Sequence, residues 1–153
     1  MNQHWSHWLA LGFGSGLVPK APGTAGTALA WVMWLVLSMW LNQSALLIVA
    51  VWSVLIGVWI CERCVQALGV HDHPSMVWDE IAAFWLVLVA VGDDWLLQLI
   101  AFGLFRFFDA VKPPPIRWVD AKVKGGFGVM VDDVLAAAAT LLVIFGVKAI
   151  AGI

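Results

Sequence analysis

The chain has 153 residues, of which 63% are hydrophobic and 12% are charged, and its formal net charge is −2. Soluble domains average about 45–50% apolar and about 25% charged residues, so this composition excludes a soluble protein of this size. It predicts a single membrane-embedded domain over residues 1–153. The slightly acidic balance gives no indication of a nucleic-acid partner, and two cysteines exclude a disulfide framework.

Apolar segments follow one another along the chain and predict an all-α integral membrane bundle of about four to five hydrophobic helices. A helix needs about 20 residues to span a bilayer, and the second and fifth segments come near that length. The first is slightly shorter, and the third and fourth are too short to show whether they cross the membrane or re-enter it. The segments cover residues 27–41, 45–60, 81–92, 95–105 and 134–151.

Between the third and fourth segments, Gly92 is followed by Asp93 and Asp94, which predicts a turn. A single helix across this stretch would place two aspartates near its centre, at a cost of about 2.5–3.5 kcal/mol each on insertion scales. A helical hairpin is therefore the favoured arrangement. It brings two polar regions, residues 71–80 and 106–133, to the same side of the membrane.

The distribution of basic residues agrees with the hairpin. Lys20, Arg63 and the five Lys and Arg residues between 106 and 133 fall in loops on one side, whereas the opposite loops at 42–44 and 93–94 have none. The positive-inside rule makes the basic side cytoplasmic. We therefore expect a multi-pass protein whose polar motifs are gathered at the cytoplasmic face.

The first polar motif, GFGSGLVPKAPGTAGT at residues 12–27, is rich in glycine. Its glycines permit turns that point backbone N–H groups at an anion, and Lys20 and Thr24 could add hydrogen-bond donors. The motif does not match the P-loop, because no Gly-Lys-Ser/Thr occurs at the required spacing. A flexible loop that enters a helix explains the motif equally well.

The second motif, HDHPSMVWDEIAAF at residues 71–84, places Asp79 and Glu80 where an apolar helix begins. Acidic residues at this position complement the helix dipole and can cap the helix. Carboxylates at the mouth of an apolar bundle also bind metal or substrate. The sequence leaves both interpretations of the pair open.

The third motif, RFFDAVKPPPIRWVD, belongs to the stretch 105–133, which holds nine of the eighteen Asp, Glu, Lys and Arg residues. Arg106, Asp109 and Lys112 are spaced i, i+3, i+6 and so share one flank of a helix end. Prolines 113–115 should end the helix and continue the chain as a stiff extended segment. The flank suits either a phosphate and metal site or a surface ion pair.

The fourth motif, DAKVKGGFGVMVDD at residues 120–133, combines glycines with Lys122 and Lys124 and ends in a second acidic pair, Asp132 and Asp133. Helix capping explains one acidic pair at the start of an apolar segment. Two such pairs, both on the face that carries the cations, favour a functional site.

Oxygen ligands without a matching set of thiolates indicate Mg²⁺ rather than zinc or copper. Mg²⁺ usually binds one or two carboxylates together with phosphate oxygens of a substrate, and the neighbouring Lys and Arg residues would neutralise the remaining phosphate charge. A phosphorylated lipid is therefore the expected substrate. A zinc site built from CERC at 61–64 with His71 and His73 is the alternative, although its spacing is irregular.

Together the motifs resemble those of the phosphatidylglycerophosphatase A family of bacterial membrane enzymes. The resemblance runs from about Leu11 to Phe145 and rests on GFGSGLVPKAPGT (12–24), GVHDHPSMVWDE (69–80), FRFFDAVKPPPIRW (105–118) and VKGGFGVMVDD (123–133). It implies an all-α fold in the bacterial cytoplasmic (inner) membrane and Mg²⁺-dependent hydrolysis of phosphatidylglycerophosphate to phosphatidylglycerol and phosphate. The chain departs from the family pattern at Pro114, where an aromatic residue is frequent, and at Ala121, where a basic residue is frequent.

The resemblance and the residues lead to one hypothesis for the site. Carboxylates hold one or two Mg²⁺ ions, Lys and Arg bind the phosphoryl oxygens, and a carboxylate orients or deprotonates the attacking water, while an aspartyl-phosphate route stays open. The metal-binding candidates are Asp79, Glu80, Asp132 and Asp133, the catalytic candidates are Glu80, Asp109 and Asp120, and the phosphate-binding candidates are Lys20, Thr24, Arg106, Lys112, Arg117 and Lys124.

Two other functions are compatible with a charged membrane protein. An alcohol phosphatidyltransferase would also use Asp and Mg²⁺, but the sequence lacks the D-G-x2-A-R array of that class. A divalent-cation transporter would place carboxylates in the middle of its helices, whereas here they gather at one end of the segments. The oligomeric state is not predictable from the sequence.

Overall fold

The computed structural model describes residues 5–70 and 73–153, and its regular elements in those ranges are all helical, as the sequence predicts. A 3-10 helix at Gly12–Leu17 follows the first α-helix. The α-helices are α1 Trp5–Ala10, α2 Pro22–Ser38, α3 Gln43–Leu68, α4 Trp78–Val91, α5 Trp95–Val111, α6 Ile116–Lys122 and α7 Gly125–Ala151.

The five apolar segments correspond to α2, α3, α4, α5 and α7, but the limits of the helices differ from the predicted ones, and α2 ends at Ser38, short of position 41. Helix α3 continues eight residues past position 60, and α7 begins at Gly125 instead of position 134. Polar residues occupy both extensions, so apolar periodicity could not detect them. The prediction that prolines 113–115 form an extended segment is wrong, because Pro114 and Pro115 form a turn that leads directly into the short helix α6.

The hairpin between the third and fourth segments is confirmed. Helix α4 ends at Gly92, whose φ of 79° lies in the left-handed region that glycine tolerates. Asp94 then caps α5, since its Oδ1 accepts hydrogen bonds from the backbone N–H groups of Leu96 and Leu97 at 2.9 and 3.2 Å. The aspartates therefore lie in a connection and not inside a continuous helix.

Helix α4 lies at the centre of the bundle, although it has only 14 residues. It packs against α2, α3, α5 and α7, and Ile81, Phe84 and Leu88 are completely buried. Indole N–H groups join it to its neighbours, because Trp78 donates to the carbonyl of Ser53 and Trp85 to that of Ala30, at 3.1 and 2.9 Å. These bonds satisfy the two indole N–H groups inside an apolar core.

The surface of the bundle is apolar, as expected of a membrane protein. Helices α3 and α7 are long and apolar enough to span a bilayer, and only 33% and 22% of their most apolar stretches are buried within the bundle. Trp40 and Trp95 are 82% and 69% exposed at the end of the bundle near the α4–α5 connection. Trp5 and Trp118 are exposed at the opposite end, so tryptophans mark both interfaces.

Candidate active site

A cleft of about 480 Å³ opens at the end of the bundle where α2, α4 and α7 begin and α5 ends. Ala21, Pro22 and Gly23 form one wall with Pro74 and Met76 opposite. The charged side chains that line the cleft come from three of the four sequence motifs, and they are Asp79, Glu80, Arg106, Asp109, Lys112 and Asp133.

Arg106 is held between two carboxylates of the cleft. Its Nη1 lies 3.0 Å from Oε1 of Glu80 and 2.5 Å from Oδ2 of Asp109. The second pair follows from the i, i+3 spacing on α5, whereas the first joins α5 to the start of α4. Because all three side chains are largely buried, the guanidinium has a fixed orientation in the cleft.

Lys112 is the second cation of the cleft and joins it to α6 and α7. Its Nζ lies 2.6 Å from Oδ2 of Asp132 and 3.3 Å from Oδ1 of Asp120. Lys112 has a φ of 47° and ends α5, which turns the chain into the prolines and brings the ammonium group back over α7. Lys124, in turn, donates to the backbone carbonyl of Asp120 at 3.2 Å.

Asp133 is the most deeply placed acid of the cleft and is 3% exposed. Its Oδ2 has no hydrogen-bond partner among residues 5–70 and 73–153. The negative charges of four other carboxylates repel it, namely those of Asp109, Asp79, Asp132 and Glu80. In such surroundings a buried carboxylate is stabilised by protonation or by a compensating cation.

The site as a whole has an excess of negative charge. Six carboxylates surround two cations, Arg106 and Lys112, which leaves a formal excess of four negative charges. Within the described ranges, no group of three or more His, Cys, Asp or Glu side chains could hold a metal ion by itself. Mg²⁺ needs only one or two carboxylates and completes its shell with water and substrate phosphate oxygens. The donor set therefore fits Mg²⁺.

Two glycines of the first motif have a role that the sequence did not reveal. Gly23 and Gly26 are buried in the first turns of α2, and a Cβ on Gly23 would overlap the carboxylate of Glu80 and crowd the guanidinium of Arg106. A Cβ on Gly26 would crowd Val77 and the other oxygen of Glu80. Their i, i+3 spacing in an apolar helix was the available signal, since small residues allow close approach in membranes.

Several candidates from the sequence lie outside the cleft, and their predicted roles stay predictions. Lys20, Thr24 and Arg117 are exposed and do not line it. Asp120 and Asp132 form ion pairs with Lys112, which lines the cleft, and the exposed Lys124 donates a hydrogen bond to the backbone carbonyl of Asp120.

The alternative zinc site receives no support from the residues that can be described. Cys61 and Cys64 are buried in a hydrophobic cluster with Ile60, Trp78 and Met130. His73 Nδ1 accepts a hydrogen bond from the backbone N–H of Ser75 at 3.2 Å. His71, the fourth member of that set, lies outside the described residues.

The fold and the cleft define a helical membrane protein with a charged site at one end of an apolar bundle. Over residues 8–148, the sequence matches the model of the family Phosphatidylglycerophosphatase A. The chain therefore belongs to the phosphatidylglycerophosphatase A family, which confirms the resemblance seen in its motifs.

Individual relatives agree with the family match. The chain is 44% identical over 143 residues to phosphatidylglycerophosphatase A of Haemophilus influenzae, covering 93% of this chain and 88% of the relative. It is 43% identical over 137 residues to the protein of the same name from Escherichia coli K12, covering 89% and 78%. A protein of Bacteroides thetaiotaomicron with the provisional name phosphatidylinositol-3-phosphatase is 41% identical, covering 89% of both chains. No solved structure shows a significant match.

Proposed function

We propose that this protein hydrolyses phosphatidylglycerophosphate to phosphatidylglycerol and inorganic phosphate. The observation that carries the proposal is the cleft, in which two cations and four carboxylates converge at one end of an apolar bundle. Two relatives with more than 40% identity bear the name of this activity. A phosphomonoester at a lipid headgroup would enter such a cleft while its acyl chains remain among apolar helices.

In this reaction Arg106 and Lys112 bind the phosphoryl oxygens and offset the charge that develops on them. Glu80 and Asp109 fix the guanidinium of Arg106 and lie beside the phosphate. One of these two carboxylates takes a proton from water as the water oxygen bonds to phosphorus. The P–O bond to the lipid then breaks, and the departing glycerol oxygen takes up a proton from solvent.

Mg²⁺ is the cofactor we propose, and Asp133 with Asp79 and Glu80 would hold it. The support comes from the excess of carboxylates and from the buried oxygen of Asp133 that lacks a hydrogen-bond partner in the described chain. The chemistry that such an ion supplies is polarisation of the phosphoryl oxygens and neutralisation of their charge. Lys112 and Arg106 would neutralise charge on the same oxygens.

We also propose that the protein is a multi-pass protein of the bacterial cytoplasmic membrane with its cleft at the cytoplasmic face. Seven of the eight Lys and Arg residues belong to the end of the bundle that holds the cleft, and the exception is Lys148 near the end of α7. This asymmetry follows the positive-inside rule. The gathering of carboxylates at one end, and not along the middle of the helices, favours a lipid enzyme over a cation transporter.

The test is phosphate release from phosphatidylglycerophosphate by the purified protein in detergent, with Mg²⁺ and then with EDTA. We expect release that requires Mg²⁺ and that Glu80→Gln reduces by at least about 10³-fold, because the substitution removes a carboxylate from the reacting phosphate. The matched control is Asp93→Asn, an exposed acid at the opposite end. No release from well-folded protein would refute the activity, and equal release in EDTA would refute the metal.

The same assay should include phosphatidylinositol 3-phosphate, because one relative carries a name that refers to that lipid. We expect the glycerol headgroup to be preferred. A preference for the inositol headgroup would change the proposed substrate while leaving the proposed chemistry intact.

A further inference from the structure

An apolar groove lies beside the charged cleft and has no part in the chemistry described above. The part of the groove next to the cleft has a volume of about 350 Å³. It is formed by the end of α5, prolines 113–115, the start of α6 and one face of α7. Its lining includes Phe108, Ile116, Leu135, Ala138 and Leu142. The three prolines connect α5 to α6, and their rings restrict the backbone of this wall of the groove.

The groove continues along α7 away from the cleft. A second apolar hollow, formed by residues 138–146, shares Ala138 and Leu142 with the first. From Leu135 to Gly146 the path is about 16 Å long at 1.5 Å per residue, which is about half of the hydrocarbon thickness of a bilayer. The path thus has the depth of one membrane leaflet.

Lys112 joins the groove to the cleft. It lines the cleft, and the next residue, Pro113, lines the groove. On α7 the two cavities occupy different faces, with Asp133 in the cleft and Leu135 in the groove. Lys112 also forms an ion pair with Asp132, which lies on the same helix but lines neither the cleft nor the groove.

We propose that this groove binds an acyl chain of the lipid whose phosphomonoester lies in the cleft. The inference rests on the proposed function and adds to it the position of the lipid tail. Charge and polarity identify the occupant, because one molecule must present a phosphate to Arg106 and hydrocarbon to the apolar wall beyond Lys112. Phosphatidylglycerophosphate also has an internal phosphodiester between these two parts, and that group would pass over the ammonium group of Lys112.

The first experiment fills the groove with Ala138→Phe and compares two substrates, dioleoyl- and dihexanoyl-phosphatidylglycerophosphate. Ala138 is exposed, so the larger side chain should not disturb folding. We expect KM for the long-chain lipid to rise about tenfold, since the loss of about two buried methylene groups has that effect. The short-chain lipid, which barely enters the groove, should change less than about twofold.

Ala149→Phe is the matched control, because Ala149 is also exposed on α7 but lines neither part of the groove. It should leave both substrates unchanged. The proposal is wrong if Ala138→Phe leaves the long-chain KM unchanged, if it affects both chain lengths equally, or if Ala149→Phe has the same effect.

A photolabelling measurement tests lipid binding in the groove independently of phosphate release. Photoactivatable acyl chains are placed on phosphatidylglycerophosphate and on phosphatidylcholine, and the labelled peptides of the Glu80→Gln variant are mapped. We expect the first lipid to label residues 108–116 and 135–146 several-fold more than the second. Equal labelling by phosphatidylcholine would show only bulk lipid in the groove and overturn the proposal, whether or not the wild-type protein releases phosphate.

Discussion

Both ends of the bundle carry paired acidic residues beside a helix start, and the two pairs are held differently. At the α4–α5 connection, Asp93 and Asp94 are exposed, and Asp94 accepts two backbone hydrogen bonds as the cap of α5. At the cleft, Asp79 and Glu80 lie in the first turn of α4, where no side-chain cap is formed, and Asp79 is buried. Capping therefore explains the first pair, whereas the second pair lines the cleft, where Glu80 forms an ion pair with Arg106.

Asp133 also differs from Asp93 and Asp94, the acids at the α4–α5 connection, in how its carboxylate is held. The carboxylate of the capping residue Asp94 accepts hydrogen bonds from backbone N–H groups of α5. The carboxylate of Asp133, in contrast, is buried two turns inside α7 among other negative charges. A carboxylate in such surroundings is stabilised by protonation, by a metal ion or by a bound substrate. Substitutions that remove one acid from each end can therefore test the comparison.

The largest effect is expected from Asp133→Asn. This substitution removes a charge from the cleft while preserving the size of the side chain, so phosphate release should fall by about 10³-fold. Unfolding in detergent should show no loss of stability, because the repulsion by neighbouring carboxylates is relieved. Retained activity would show that Asp133 is a structural acid, as Asp94 is.

A second large effect is expected from Gly23→Ala. The added methyl group would overlap the carboxylate of Glu80 and displace Arg106, so phosphate release should fall by about 10²-fold. The matched control is Gly103→Ala in α5, where a Cβ meets nothing within 4 Å. That variant should retain activity and gain up to about 1 kcal/mol from helix propensity. Equal activity of the two variants would contradict the assigned packing of α2.

Much of the bundle was predictable because local rules determine it. The five apolar segments follow from hydropathy, the hairpin from Gly92 and the cost of burying Asp93 and Asp94, and the pair of Arg106 and Asp109 from helical spacing. These features involve residues that are close in the sequence. Their physical causes can be evaluated without the rest of the fold.

The parts that were not predictable depend on contacts between distant residues. The sequence could not show that Asp133 lines the cleft while its neighbour Asp132 binds Lys112, because this depends on the rotation of α7. Nor could it show that Gly126 N–H donates to Glu62 at 2.6 Å, across 64 residues. The start of α7 was missed for the same reason, since its cap comes from α3 and not from a neighbouring residue.

A smaller effect is expected from Glu62→Ala. The N-cap residue of α7, Lys124, forms no side-chain cap, so the carboxylate of Glu62 takes that role from α3. Its loss should increase amide hydrogen exchange in the first turn of α7 and reduce phosphate release less than Asp133→Asn does. Glu62→Gln keeps an acceptor oxygen and should restore most of the protection. Unchanged exchange in Glu62→Ala would show that the hydrogen bond does not hold the helix.

The smallest effect on activity is expected from Asp94→Ala, which removes the cap at the far end of the bundle. The two backbone N–H groups that Asp94 now satisfies would lose their acceptor, so stability should fall by about 1 kcal/mol. Phosphate release at a temperature well below the unfolding midpoint should change less than about twofold, because the cleft lies at the other end. Asp94→Asn is the control, since asparagine caps a helix about as well as aspartate. A large loss of activity in Asp94→Ala with stability intact would mean that the two ends are coupled through α5. In that case the acids at the far end could no longer be treated as caps alone.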